Sequence, residues 1–342
     1  MFQLPHIPTA QSLIDKTFSK GSMEAKKKRA TSPHIPKEVR SKRGEEQRVK
    51  MISTIVLGEL RSVIKHFPSY DQLPPFYQEL LDVRIDKNKY KKSLGAVQWC
   101  VNNIEDLKRK SYGDIKFSRV DEKIKRSNSS HAFMGRCASF IKQISGDLDR
   151  LVEIKVILAE FPEIQNQPTL VIAGFPNVGK STFLRTLTGS KVKIAPYPFT
   201  TQEIYIGHIK PKYLTYQIID TPGLLDRPME DRNPVELQAI LAMKHLADVM
   251  LFILDPTGNV DEQFSLIAEV RKNFPDALIT IAVNKTDLIA DKKKLENIHD
   301  KLIKIKLTES KPLEMCANDY DSVLTVFREA EKLFTGLDKY KY

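Results

Sequence analysis

The densest chemistry in the chain lies between residues 174 and 181, Gly174-Phe175-Pro176-Asn177-Val178-Gly179-Lys180-Ser181. Two glycines at this spacing let the backbone curl so that successive N–H groups face one point, which suits the oxygens of a polyphosphate. Lys180 sets a positive charge on the β- and γ-phosphates, and the Ser181 hydroxyl is a ligand for Mg²⁺. The candidate cradle therefore runs from Gly174 through Pro176, Asn177, Val178, Gly179, Lys180 and Ser181 to Thr182.

Three further segments follow in the order that GTP hydrolysis needs. Asp220-Thr221-Pro222-Gly223 ends an apolar run, Gln217-Ile218-Ile219. An Asp there can hold the Mg²⁺ shell, and the Gly223 N–H can meet a γ-phosphate. Upstream, Pro198-Phe199-Thr200-Thr201 offers a threonine that reaches Mg²⁺ only while the γ-phosphate is present. Thr201 is favoured because it immediately precedes a strand; Thr200 is the alternative. Downstream, Asn284-Lys285-Thr286-Asp287 ends the run 277–283. The Asp287 carboxylate can accept from guanine N1–H and N2–H₂, a donor pair that adenine lacks, so adenine would leave a buried carboxylate unpaired. Asn284 and Lys285 complete that motif. In Met315-Cys316-Ala317-Asn318, a backbone N–H of Cys316 or Ala317 is the candidate contact for guanine O6. The expected ligands are thus GTP or GDP with Mg²⁺. Lys180, Thr201 and Gly223 would act on the reacting phosphate, and Ser181, Thr201 and Asp220 on the metal. Leu224 occupies the place where Ras-like enzymes put a water-orienting Gln, so intrinsic turnover should be slow.

These residues need rigid elements behind them. Thr169–Ala173 reads as a buried strand feeding the glycine loop, and a helix over about 180–189 aims its positive end at the same phosphates. Strands at 203–210 and 214–219, joined by a short turn, read as an antiparallel hairpin. The alternation over 167–342 predicts an α/β P-loop GTPase domain, its sheet mostly parallel with helices on both faces.

Residues 1–166 read differently. Ile52, Ile55, Val56, Leu60, Val63, Ile64 and Phe67 follow helical spacing over 37–67, and Pro68 ends that helix. Pro74-Pro75 opens a short helix, and Leu94, Val97, Val101, Ile104 and Leu107 mark another. Ser118 with Asp121 resembles a capping box before one long stretch carrying Phe133 to Ile154 on a single face. An all-α helical bundle is predicted. Lys26-Lys27-Lys28-Arg29 reads as a loop, open to three uses: a nuclear-import signal, a phosphate contact or a solvated run. Residues 16–43 are expected to stay flexible until a partner orders them.

Charge separates the halves as well. The net +11 resides entirely in residues 1–166, and residues 167–342 balance at 23 basic and 23 acidic side chains. A polyanionic partner for the first half follows, or else merely a lysine-rich soluble surface. Three cysteines without paired spacing exclude a disulfide scaffold and a thiolate zinc site and fit a reducing compartment. No apolar run reaches the roughly 20 residues of a membrane span. The amino terminus lacks a signal-peptide layout. A soluble, cytoplasmic protein is expected.

With Pro196-Tyr197-Pro198-Phe199-Thr200-Thr201 and Asp220-Thr221-Pro222-Gly223-Leu224-Leu225-Asp226 in this order, the sequence resembles the Obg-like GTPases. Glu230-Asp231-Arg232-Asn233 with Glu236-Leu237-Gln238-Ala239-Ile240, and Pro75-Phe76-Tyr77 with Tyr90-Lys91-Lys92-Ser93-Leu94-Gly95, make it similar to the NOG family of nucleolar GTP-binding proteins. The chain looks like a compact, archaeal-type member. The resemblance implies a GTPase acting in large ribosomal subunit assembly, its basic bundle on ribosomal RNA of the pre-large-subunit particle. Assembly proteins are further partners, no membrane is involved, and the chain is monomeric off the ribosome. The alternative is a signalling or trafficking GTPase whose bundle binds protein or membrane. In related families an Asn at the place of Asn177 helps hold K⁺ near the phosphates; otherwise Asn177 braces the loop. Cys316 and Asn318 depart from the family pattern. Arg227, Asp231 and Arg232 are open to three roles: coupling to a partner, action of Arg232 at the phosphates, or an ordinary surface loop.

Overall fold

A computed structural model describes residues 3–31, 34–119, 122–189, 191–226, 229, 232–289, 292–304 and 312–337. The chain forms two units, Met1–Leu73 with Ile85–Ala159, and Pro74–Arg84 with Glu160–Tyr342. In this division α3 (Pro75–Asp82) groups with the nucleotide half. Its anchors are local to that unit. The Tyr77 hydroxyl donates to the Pro162 carbonyl (2.9 Å) and accepts from the Ile164 N–H (3.0 Å). Glu79 meets Lys244 at 2.9 Å and His245 at 2.5 Å.

The first unit is helical: α1 (Ala10–Ala30), α2 (Lys37–His66), α4 (Lys87–Phe117), α5 (Lys123–Gln143) and α6 (Ser145–Glu160). Thr9 caps α1 by accepting the Ser12 N–H, and Asp86 caps α4 by accepting those of Asn88 and Lys89. Ile52, Val56, Leu60, Tyr90, Val97, Ile104, Phe133 and Ile141 are fully buried. Cys100 and Cys137 join this core, where burial pushes each thiol up to about 12.

Three expectations are corrected in this unit. Lys26–Arg29 is the last turn of α1, not a loop. Residues 16–30 and 37–43 are helical, as parts of α1 and α2. The long stretch through Ile154 breaks at Ile144 into α5 and α6. As for the capping box, Asp121 lies outside the described residues, and the Ser118 hydroxyl donates back to the Ile115 carbonyl (2.7 Å).

The second unit is a seven-stranded sheet of order β2-β3-β4-β1-β5-β6-β7. The strands are β1 (Thr169–Ala173), β2 (Lys193–Pro196), β3 (Glu203–Ile209), β4 (Tyr216–Asp220), β5 (Val249–Leu254), β6 (Leu278–Val283) and β7 (Leu313–Glu314). The sheet is parallel from β4 through β7, and β3 runs antiparallel to both its neighbours, β2 and β4. The helices are α7 (Lys180–Thr188), α8 (Pro234–Leu241), α9 (Val260–Asn273), α10 (Lys292–Lys304) and α11 (Tyr320–Thr335). Leu170, Ile172, Leu251 and Ile253 share one core with Phe183 of α7 and Phe327 of α11. The alternate residues Val171, Ala173, Met250 and Phe252 are equally buried. Since successive side chains leave a strand on opposite sides, both faces of the sheet are covered. The carboxyl ends of β1, β4, β6 and β7 thereby deliver the glycine loop, Asp220–Gly223, Asn284–Asp287 and Met315–Asn318 to one edge, where Thr200–Thr201 also lead into the antiparallel β3.

Candidate nucleotide site

The glycine loop joins β1 to α7, as its sequence predicts. At Gly174 φ is +141°, and a Cβ would run into the Ile253 carbonyl; at Gly179 φ is +105°, and a Cβ would meet the Asn284 amide. Asn177 also lies in the left-handed region (φ 62°), which Asn tolerates. Its side chain is exposed and makes no hydrogen bond among the described residues. Lys180 is buried, its ammonium donating to the carbonyls of Gly174 (2.7 Å) and Phe175 (2.8 Å). Burial lowers its pKa, against the opposing pull of Asp226 and Asp220.

The Ser181 hydroxyl donates to Asp220 Oδ2 at 2.5 Å. Asp220 Oδ1 is buried without a partner. Burial raises the pKa of this carboxyl, opposed by the Ser181 hydroxyl and the Lys180 charge. An orphaned carboxylate oxygen beside a hydroxyl suits a hard cation that takes oxygen ligands and completes its shell with water and phosphate. No group of three acidic, His or Cys side chains that could cage a metal occurs among the described residues.

The two threonines differ. Thr200 is tied into its turn, donating to the Tyr197 carbonyl (2.9 Å) and accepting the Gln202 N–H (3.1 Å). Thr201 is exposed, and among the described residues its hydroxyl accepts from the Gln202 amide at 3.4 Å. Tyr197, fully buried, roots the segment by donating to the Ala239 carbonyl (2.6 Å).

Beyond β4, the Gly223 N–H is already donated, to Asp226 Oδ2 at 2.7 Å. Leu224 is fully buried in the core, out of reach of any attacking water. The reading of Arg232 as a phosphate ligand is corrected. Its side chain is wholly buried, donating to the Leu224 carbonyl (2.9 Å) and to Glu236 (2.6 Å), with Asp226 at 3.7 Å. Arg227, Glu230 and Asp231 lie outside the described residues.

In the base motifs, Asn284 acts as a strut. Its amide donates to the Val178 carbonyl and its oxygen accepts the Ala317 N–H, both at 2.8 Å. The Cys316 N–H is donated to the Ser322 hydroxyl (3.0 Å). Both backbone donors expected at guanine O6 are thus engaged within the protein, whereas the next N–H, of Asn318, has no protein acceptor among the described residues. Asp287 is exposed, and its carboxylate has no partner among the described residues. Lys285, in the left-handed region (φ 58°), donates to Asp255 at 2.6 Å.

Asp255, Asp226 and Gln202 escape the sequence reading. Asp255 closes β5 much as Asp220 closes β4, a signal present but set outside any motif. Asp226 is visible as a carboxylate three residues from Gly223. Nothing in the sequence places Gln202 against Gly223, where a Cβ would strike it.

A strand-loop-helix cradle, a Ser–Asp cation site and a guanine-type base motif on one edge of a mostly parallel sheet define a P-loop GTPase. Residues 169–285 match the family model described as 50S ribosome-binding GTPase, and residues 2–165 match that of the NOG1 N-terminal helical domain. The chain belongs to the NOG1 family of nucleolar GTP-binding proteins. It is 36% identical over 295 residues to MJ1408 of Methanocaldococcus jannaschii, covering 85% of this chain and 82% of that one. It is 36% identical to nucleolar GTP-binding protein 1 of Arabidopsis thaliana and 35% identical to that of Saccharomyces cerevisiae, over 81% and 71% of this chain. The chain spans 42% and 38% of those two proteins' lengths. No helix among the described residues is long and apolar enough to cross a membrane.

Proposed function

We propose that this GTPase is a switch in assembly of the large ribosomal subunit, docking on pre-ribosomal RNA through its helical unit. The support is the separation of charge. The nucleotide-binding half is electrically balanced, while the helical half holds the whole +11, a surplus that GTP binding does not need. In the proposed cycle Ser181 and Asp220 would hold Mg²⁺, which would screen the phosphate charge. With GTP bound, Thr201 would add its hydroxyl to the metal's ligands and the Gly223 N–H would turn to the γ-phosphate. Hydrolysis removes that phosphate, both segments relax and the particle contact weakens. Turnover is slow in the isolated protein, since the buried Leu224 orients no water. K⁺ beside the exposed Asn177 would neutralise charge on the phosphates; equal hydrolysis rates in K⁺ and Na⁺ would remove that ion from the mechanism. The chain works in the cytoplasm and is monomeric off the particle.

The test is co-sedimentation of the full chain with precursor and mature large-subunit particles. Retention with a non-hydrolysable GTP analogue and Mg²⁺, and release with GDP, is expected. Equal retention in both nucleotide states would rule out the switch, and no retention in either would rule out the particle as partner.

A further inference from the structure

One corner of the helical unit gathers the end of α1, the start of α2 and the junction of α4 with α5. Lys42 ties it together, its ammonium donating to the carbonyls of Lys116 (2.6 Å) and Ser118 (2.9 Å). Two hollows open there. One, of about 600 Å³, is lined by Arg29, Lys37, Arg40 and Lys123 with Ser41 and Glu38. The other, of about 260 Å³, is lined by Lys28, Arg43 and Lys50 with Glu46, Gln47 and Tyr112. The buried Glu45 pairs with Arg29 and Arg48, so Arg29 is structural. Lys28, Lys37, Arg40, Arg43, Lys50 and Lys123 have no ion pair among the described residues, although two carboxylates line the same hollows.

Unpaired cations at this density repel one another and call for a polyanion. At the same corner two large apolar side chains stand in water: Phe117, 83% exposed at the end of α4, and Ile124, 78% exposed in the first turn of α5. Singly such residues are ordinary. Beside convergent cations they form the pairing that single-stranded nucleic acid uses, cations on the phosphates and an aromatic face under an unpaired base. Duplex RNA keeps its base faces stacked and gives Phe117 nothing to meet. A lipid surface would also accept basic and apolar groups, but it is flat, whereas these cations line concave hollows.

We propose that this corner is a binding site for an unpaired RNA segment, its phosphates in the two hollows and one base stacked on Phe117. The proposal rests on the ribosomal RNA reading above and assigns it a place on the protein. Fluorescence anisotropy of the full chain tests it with three probes: a synthetic RNA hairpin with a pyrimidine loop, a blunt RNA duplex, and phosphatidylserine vesicles. Lys37→Glu with Lys123→Glu should weaken hairpin binding at least tenfold at low salt. It should also shrink the slope of log K against log salt by roughly 0.7 for each phosphate no longer neutralised. Phe117→Ala should weaken hairpin binding about fivefold to a hundredfold and leave the duplex unchanged, with Phe117→Trp restoring it. All three side chains are exposed, and circular dichroism checks that each variant is folded. Hairpin binding unchanged in both the charge-reversal and the Phe117→Ala proteins would overturn this site while leaving the ribosomal reading intact. Failure of the native chain to bind any RNA would overturn both, and preferential binding to vesicles would replace RNA by a membrane surface.

Discussion

Asp226 holds the Gly223 N–H, which donates to it at 2.7 Å. On the proposed cycle GTP would have to break this bond before gaining its own, whereas GDP would not. Asp226→Ala should therefore raise the GTP-to-GDP affinity ratio by about fivefold to tenfold, the worth of one hydrogen bond of roughly 1 kcal/mol; titration with fluorescent nucleotides measures it. Asp287→Asn should move preference from GTP toward xanthosine triphosphate, and an unchanged GTP preference in competition would remove Asp287 from base choice. Asp255 makes a pH prediction. Burial pushes its pKa up, but the hydrogen bonds from Lys285 and Thr257 outweigh this and leave it below the ordinary 3.8. Folding thus favours the ionised form. The contribution is complete above 3.8 and is lost as pH falls through the lower folded value. Asp255→Asn should cost about 1 kcal/mol at neutral pH and flatten the acid limb of the stability curve, followed by urea unfolding. Lys180, Ser181 and Asp220 were legible in the sequence because phosphate chemistry fixes their local spacing. Asp255 was not, because its partner Lys285 is thirty residues away and only the adjacency of β5 and β6 brings them together.

At the scale of elements, α1 shows why a helix can hide. Its buried positions are Ala10, Leu13, Ile14, Thr17, Gly21 and Ala25, and after Ile14 only small ones, which give a faint apolar stripe beside a conspicuous basic run. The stripe is faint because α1 and α2 approach closely, and a Cβ on Gly21 would collide with Ile52. Gly21→Val should destabilise the protein by about 1–3 kcal/mol through overpacking, read as a lower urea midpoint. The strands β1 and β4 were legible because strands buried on both faces are continuous apolar runs. In β2, by contrast, three of four side chains are exposed, and Pro196 weakens the strand pattern further. The membership of α3 was hidden too, since Tyr77 finds its partners Pro162 and Ile164 more than eighty residues on.

For the molecule as a whole, nucleotide should act as a stabiliser. Binding to the folded state alone adds RT ln(1 + [L]/Kd), about 2.7 kcal/mol at a hundredfold excess over Kd. A rise in Tm with GDP and Mg²⁺ that shrinks with EDTA is expected, because Asp220 Oδ1 then faces the phosphates without a cation. Gly174→Ala should abolish the rise, since the new methyl meets the Ile253 carbonyl in a conformation that alanine resists. The burial of Leu224 reaches furthest at this scale. On the proposed cycle, a switch whose own core holds this residue would keep only a slow clock. How long it stayed on would then be set by the surface it sat on, so the duration of the signal would report the state of that surface rather than the age of the nucleotide.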